Sequence, residues 1–233
     1  MIILQGRGVS KGMAEGRIHC YHRVGAAAVK RAGMDPGIEK LRLAEAQEQS
    51  IRQLENLEVR CRQEVEGKAA EEAAQVFSTH AMMLEDENYL LSIEELLGRE
   101  TCCAEYAVQK AGKNFAAIFE GMDDDYMRER GADVMDVTWR LLRNLAGAGN
   151  GSAELDGPAI VAANDLNPTE FIELDHTQVL AIVTRQDSQN SHAAILARLL
   201  GIPTVCDLGQ ELKATFHGRL AKVDGRAGTL TIY

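Results

Sequence analysis

Two textures of sequence, laid out in the order strand-like, helical, strand-like, set what this chain can fold into. Residues 1–33 and 147–233 carry short apolar runs broken by glycines, whereas residues 36–146 place apolar side chains at three- and four-residue steps. Neither end alone has enough strands for a covered sheet, so the two ends must share one. The expected fold class is therefore α/β plus α, a β/α domain built from residues 1–32 and 147–233 with a helical bundle inserted over residues 33–146.

Within the insertion, no proline or glycine interrupts residues 38–66, and Leu54, Leu57, Cys61 and Val65 recur on one helical face. A second helix is expected over residues 69–84, with Ala73, Val76, Phe77, His80 and Leu84 as its stripe. A third runs over residues 88–97 and stops at Gly98. A fourth spans residues 104–130 with a bend near Gly121. The last covers residues 133–145, striped by Val134, Val137, Leu141 and Leu145. Short connections between such helices make a bundle.

Charge separates the same two regions. Residues 36–146 hold 23 of the 35 acidic and 13 of the 25 basic residues, so the net charge of −10 lies there and the remainder is balanced. An acidic bundle excludes nucleic acid as a ligand and suits a basic protein partner. No apolar run approaches the roughly 18 residues of a membrane span, and residues 1–6 lack the form of a secretory leader. The five cysteines are an odd number without metal-type spacing, which fits reduced thiols in a cytoplasmic protein. His19 and His22 lack a third ligand nearby, and no metal site is expected.

The chemistry concentrates near the C-terminal end. Val179–Val183 reads as a buried strand; after a polar loop, Ser191 is placed to cap a helix that ends at Gly201, with Pro203 beyond. His192 falls in the first turn, where unpaired backbone N–H groups and the positive end of the dipole favour an anion. An imidazole there is a nucleophile able to accept a phosphoryl group and pass it on. Upstream, Ala159–Ala163 reads as another strand, followed by a turn into a helix opened by Pro168. Arg219–Asp224 and Thr229–Tyr233 read as a closing pair of strands.

The run Ser191-His192-Ala193-Ala194-Ile195-Leu196-Ala197-Arg198, followed by Gly201-Ile202-Pro203, resembles the phosphohistidine motif of the phosphoenolpyruvate-utilising enzymes. That group includes pyruvate phosphate dikinase, phosphoenolpyruvate synthase and Enzyme I of the bacterial sugar phosphotransferase system. The family's Gly-Gly ahead of the histidine is replaced here by Asp187 and Ser188. The inserted region narrows the resemblance. His80–Glu87, Met122–Val134, Arg140–Asn144 and Gly8–Gly12 are similar to stretches of the N-terminal domain of Enzyme I, nearly the whole chain in order.

The resemblance implies a swivelling β/α phosphohistidine domain with His192 as the phosphorylated residue. Ser191, Asn167 (where the family has a threonine) and Arg198 would support it; Arg198 would either balance phosphate charge or cap the helix end. The inserted bundle would dock the phosphocarrier protein HPr through Glu71, Glu72, Met82, Met83, Asp86, Tyr89, Phe119, Met127 and Arg130, an adaptable apolar centre with an anionic rim. The resemblance assigns phosphoenolpyruvate and Mg2+ to a C-terminal part of the intact enzyme, and no cofactor to these residues. Dimer contacts belong to that part as well, so a monomer is expected. A dikinase-type carrier and a non-catalytic acidic adaptor are the alternatives; a Ser191–His192 hydrolase is not supported, because adjacent helical residues point apart.

Overall fold

The computed structural model describes residues 1–21, 35–64, 68–147, 155, 157–186 and 192–233. Among them are eight strands, seven α-helices and two 3-10 turns. The chain packs as two compact units. One comprises Met1–Arg23, Val59–Val76 and Asn150–Tyr233, the other Val24–Glu58 and Phe77–Gly149. This division gives residues 59–76 to the unit that holds the sheet, whereas helical periodicity alone grouped them with the bundle.

The first unit is organised by one eight-stranded sheet. Its strands are β1 (Ile2–Gln5), β2 (Arg7–Ser10), β3 (Met13–Cys20), β4 (Ala159–Ala163), β5 (Val179–Thr184), β6 (Thr204–Cys206), β7 (Leu220–Asp224) and β8 (Thr229–Ile232), in the order β1-β8-β7-β3-β4-β5-β6-β2. Strands β3 to β6 run parallel, and the remaining pairs are antiparallel. β4, β5 and β6 read as near-continuous apolar runs because both faces are covered. Ile18, Ile160, Ala162, Ala181, Val183 and Val205 share one core with Leu212 and Phe216 of the 3-10 segment. β3 and β4 are hydrogen-bonded neighbours, Ile18 opposite Ile160, although five helices separate them in sequence. The helical segment is thus one long crossover between adjacent parallel strands.

The β7–β8 turn folds onto the flanks of β2. The Gly225 N–H donates to the Gly12 carbonyl at 2.9 Å, and the Gly6 N–H to the Gly228 carbonyl at 2.9 Å. A Cβ on Gly225 would overlap the Ser10 carbonyl oxygen, and one on Gly8 the Gly225 carbonyl oxygen. These glycines are required by close backbone approach.

The five helices of the insertion are α1 (Pro36–Glu64), α2 (Lys68–Leu84), α3 (Glu87–Glu100), α4 (Ala104–Glu120) and α5 (Asp125–Leu145). In the second unit, α4 packs on α3 and α5. Gly112 of α4 lies so close to Thr138 of α5 that a Cβ would overlap the threonine side chain. Arg42 bridges Glu39 and Glu105 at 2.7 and 2.6 Å. The Glu39 Oε2 also accepts the Ala104 N–H at the start of α4.

Two boundaries differ from the sequence reading. α3 continues through Gly98 to Glu100 and ends at Thr101, whose φ is +44°. The intrinsic cost of a helical glycine, about 1 kcal/mol, is outweighed by burial of Ile93 and Leu97. The helix expected over residues 104–130 is two helices. Gly121 ends α4, and the Asp124 carboxylate accepts the Met127 N–H at 3.1 Å to cap α5 afresh. A capping carboxylate competes with a continued helix and wins here.

Candidate functional site

The two strand–loop–helix passages of the first unit begin at the same sheet edge. β4 leads into α6 (Pro168–Glu173) and β5 into α7 (His192–Leu199). β4 and β5 are parallel neighbours with Ala163 opposite Thr184, so both helices start beyond the carboxyl ends of the strands. Ligands of α/β sheets bind at that edge.

α7 is held by small residues. Ala193, Ala194, Leu196 and Ala197 are buried, and the three alanines face Leu166, Phe171 and Ile182. Alanines let the helix backbone lie close to the sheet, which fixes where its first residue, His192, stands. The C-terminal end is closed by a Schellman motif. The Ile202 N–H donates to the Ala197 carbonyl at 3.0 Å and the Gly201 N–H to the Arg198 carbonyl at 3.3 Å, with Gly201 at φ +66°. The His192 side chain and the whole of Ser191 lie outside the described residues.

Arg198 is exposed in the last turn of α7. At 1.5 Å per residue its Cα is about 9 Å along the axis from that of His192. Its place in the last turn suits compensation of the helix C-terminus.

Asn167 is the N-cap of α6. Its Oδ1 accepts the Glu170 N–H at 2.7 Å, and its own N–H donates to Glu170 Oε2 at 3.1 Å. The side-chain oxygen is therefore committed to a capping box. Glu170 is buried, and its Oε1 accepts the Tyr21 hydroxyl at 3.3 Å, tying the start of α6 to the end of β3. The sequence reading passed over Glu170, although Asn-Pro-Thr-Glu carries the N-x-x-E spacing of a capping box. It also passed over Thr184. This residue is buried at the end of β5, and its Oγ1 meets no hydrogen-bond partner among the described residues.

The residues assigned to docking fall into three groups. Met82, Met83 and Asp86 flank the α2–α3 connection, while Phe119, Met127 and Arg130 flank the α4–α5 connection. Inside the second unit these two ends are brought together through Asp133. Its Oδ2 lies 3.3 Å from Arg130 Nη1, and its Oδ1 3.3 Å from Nε2 of the buried His80. The latter lacks hydrogen-bond geometry, and Nε2 has no hydrogen-bond partner among the described residues. Met82 is 70% exposed, a strong departure for a large apolar side chain; Met83, Phe119, Met127 and Arg130 are half-buried and Asp86 is exposed. Asp86 also caps α3, accepting the Tyr89 N–H at 2.9 Å.

Glu71 stands apart, in the first unit, exposed and paired with Arg62. The Glu72 side chain lies outside the described residues. Tyr89 is corrected. It is 4% exposed, its hydroxyl is 2.9 Å from Thr138 Oγ1, and its ring meets Phe115 edge-on. Burial pushes its phenol up to about 12. Tyr89 is a core residue of the bundle and not part of a surface.

Among the described residues, no group of three or more His, Cys, Asp or Glu is placed to hold a metal ion. No described helix is long and apolar enough to cross a membrane.

Comparison with known proteins defines the class. Residues 5–130 match "PEP-utilising enzyme, N-terminal" and residues 155–228 match "PEP-utilising enzyme, mobile domain". The chain belongs to the phosphoenolpyruvate-utilising enzymes. It is similar to the phosphoenolpyruvate-protein phosphotransferases of Geobacillus stearothermophilus (32% identical over 230 residues) and Bacillus sp. strain S (31% over 230 residues), covering 98% of this chain and 39% of each relative. The Lactococcus lactis subsp. lactis protein of the same name is 38% identical over 164 residues, 70% of this chain and 28% of that one. The chain thus spans about two fifths of the relatives' length. Among solved structures, an Enzyme I solution structure aligns with a TM-score of 0.73 at 27% identity, covering 98% of this chain and 92% of that one. The N-terminal domain of "Enzyme 1 - Nitrogen" aligns at 0.69 and 26%, covering 98% and 93%. The resemblance to the N-terminal domain of Enzyme I is the one these comparisons return.

Proposed function

We propose that His192 carries a phosphoryl group and exchanges it with a histidine of the small phosphocarrier protein HPr, within a cytoplasmic phosphoenolpyruvate-protein phosphotransferase of the sugar phosphotransferase system. The observation that carries this reading is the position of His192 as the first residue of α7. That helix is pinned by buried alanines and a closed C-terminus at the carboxyl edge of β5. An N-terminus so fixed offers backbone N–H groups to an oxyanion without reorganisation.

In the charging step, the lone pair of His192 Nε2 attacks phosphorus, the bond to the enol oxygen breaks, and pyruvate leaves as its enol form. In the second step an imidazole nitrogen of HPr attacks the same phosphorus and the bond to Nε2 breaks. The two imidazoles are similar leaving groups, so the protein's work is in-line positioning and electrostatic support. Attack needs a neutral ring, so transfer to His192 slows as acid protonates it. The bundle end formed by Met82, Met83, Asp86, Phe119, Met127 and Arg130 is the HPr-docking surface in this reading. Its supports are the 70% exposure of Met82 and the acidic excess of residues 36–146. In this reading phosphoenolpyruvate and Mg2+ belong to the part of the intact enzyme that these 233 residues do not span.

The test is phosphoryl transfer from isotope-labelled phospho-HPr to the chain, with His192→Ala alongside. Acid-labile, base-stable label on the parent chain and none on the variant supports the reading. Equal labelling of both overturns it, as does HPr binding without transfer, the behaviour of an adaptor. Incubation with phosphoenolpyruvate and Mg2+ alone is expected to leave these 233 residues unlabelled.

A further inference from the structure

On the sheet face occupied by Leu212 and Phe216, the carboxyl ends of β3, β4 and β5 open into a cleft of about 220 Å3. Cys20, Asn164, Asp165, Arg185 and Lys213 line it, with Leu212 and Ala214 of the 3-10 segment as its apolar wall. None of the described side chains of α6 or α7 lines it. Its volume lies below the roughly 300–1,000 Å3 of pockets for drug-sized ligands and suits a metabolite of a few carbons.

The cleft is built around Arg185. Its Nε donates to the Leu212 carbonyl at 2.5 Å, which anchors the guanidinium plane to the 3-10 segment. Its two Nη groups meet no acceptor among the described residues, and no described carboxylate pairs with it. Lys213, exposed at the rim, is likewise unpaired among the described residues. Two cations without an ion-pair partner among the described residues, one of them half-buried, present an anchored fork and a point charge to the same space. The Cys20 thiol beside them is pushed up by burial, an effect that the Arg185 charge opposes. The far wall has the opposite character. Asp165 Oδ2 accepts the Asn164 amide at 2.7 Å, which orients a carboxylate acceptor at the end of β4.

We propose that this cleft binds a small phosphate- or carboxylate-bearing metabolite, its anionic head on Arg185 and Lys213 and a hydroxyl at its other end donating to Asp165. The binding is independent of the phosphoryl chemistry proposed for His192.

Glycerol 3-phosphate, inorganic phosphate, acetate and glycerol are the probes, titrated against the chain by calorimetry or ligand-observed NMR. Glycerol 3-phosphate is expected to bind saturably and more tightly than either simple anion, and glycerol not to bind. The tighter of phosphate and acetate names the preferred head group. Arg185→Gln is expected to weaken glycerol 3-phosphate by about tenfold or more, as for loss of a charge-assisted pair. Lys213→Gln, an exposed position whose change leaves folding intact, is expected to weaken it by about two- to fivefold. His192→Ala is expected to leave it unchanged. Absence of saturable binding up to about 10 mM, or binding that both charge-removing variants retain in full, overturns the proposal. Loss of binding on His192→Ala also overturns it, because the anion would then sit at α7, and it would leave the phosphohistidine reading standing.

Discussion

The sheet-bearing unit and the helical unit are built to different tolerances. In the first, geometry is set by backbone against backbone. Gly225 and Gly8 pass within contact of neighbouring carbonyls, a Schellman motif closes α7, and a capping box opens α6. In the second, helices meet through side chains, and the polar fixtures are ion pairs and hydroxyls such as Arg42–Glu105 and Tyr89–Thr138. The difference matches the work proposed for each. A phosphoryl group must be handed over along a line, which needs a rigid mount for one ring. A protein partner must be held over a broad surface, which tolerates adaptable methionines.

If that contrast is right, function in the first unit rests on one residue. His192→Ala should abolish phosphoryl exchange with HPr, a loss of about 10³-fold or more, because no neighbouring group replaces a lost nucleophile. Circular dichroism and thermal melting should be unchanged. Residual transfer to the variant chain would break the comparison at its strongest point.

Close backbone approach in the first unit comes next in size. Gly225→Ala should destabilise by about 3 kcal/mol or more, since the Ser10 carbonyl must move to admit the methyl. Denaturant melts read it. A cost under about 1 kcal/mol would show that the sheet is as yielding as the bundle.

In the second unit, surface and core separate cleanly. Met82→Ala should weaken HPr binding by about five- to tenfold, roughly 1 kcal/mol, without changing stability. Tyr89→Phe should do the reverse, costing about 1 kcal/mol of stability through the lost hydroxyl contact with Thr138 and leaving HPr affinity intact. Swapped outcomes would return Tyr89 to the surface and move Met82 into the core.

The smallest effect is the dependence on pH. Burial raises the Glu105 carboxyl, but the Arg42 hydrogen bond and charge more than offset it, and its acidity lies below the usual carboxylate value. A carboxyl held lower in the folded than in the unfolded state stabilises above the unfolded value and loses that contribution as pH falls through the folded one. Glu105→Gln should therefore be less stable than the parent near neutrality, and the gap should shrink as the solution is acidified below about pH 4. A gap that stays constant would show packing, not charge, at this position.

Much of the architecture was legible without coordinates. Ala159–Ala163 and the helix opened by Pro168 fall where apolar runs and punctuation placed them. His192 at a helix start followed from the strand before it and the glycine and proline after it. At Gly98 and Gly121 local signals misled in opposite directions: α3 runs through the first to Glu100, whereas α4 ends at the second, because the Asp124 carboxylate caps a new helix.

What the sequence by itself determined was therefore the local periods and caps: which segments are strands, which are helices, and which residue heads α7. Only the tertiary structure decided that Tyr89 is core while Met82 is not, that residues 59–76 pack with the sheet-bearing unit, and that Cys20, Asp165, Arg185 and Lys213 share one cleft. The physical reason is range. Backbone periodicity and capping act over three or four residues, whereas burial, close approach and unpaired charge are set by segments that meet only when β3, β4 and β5 lie side by side.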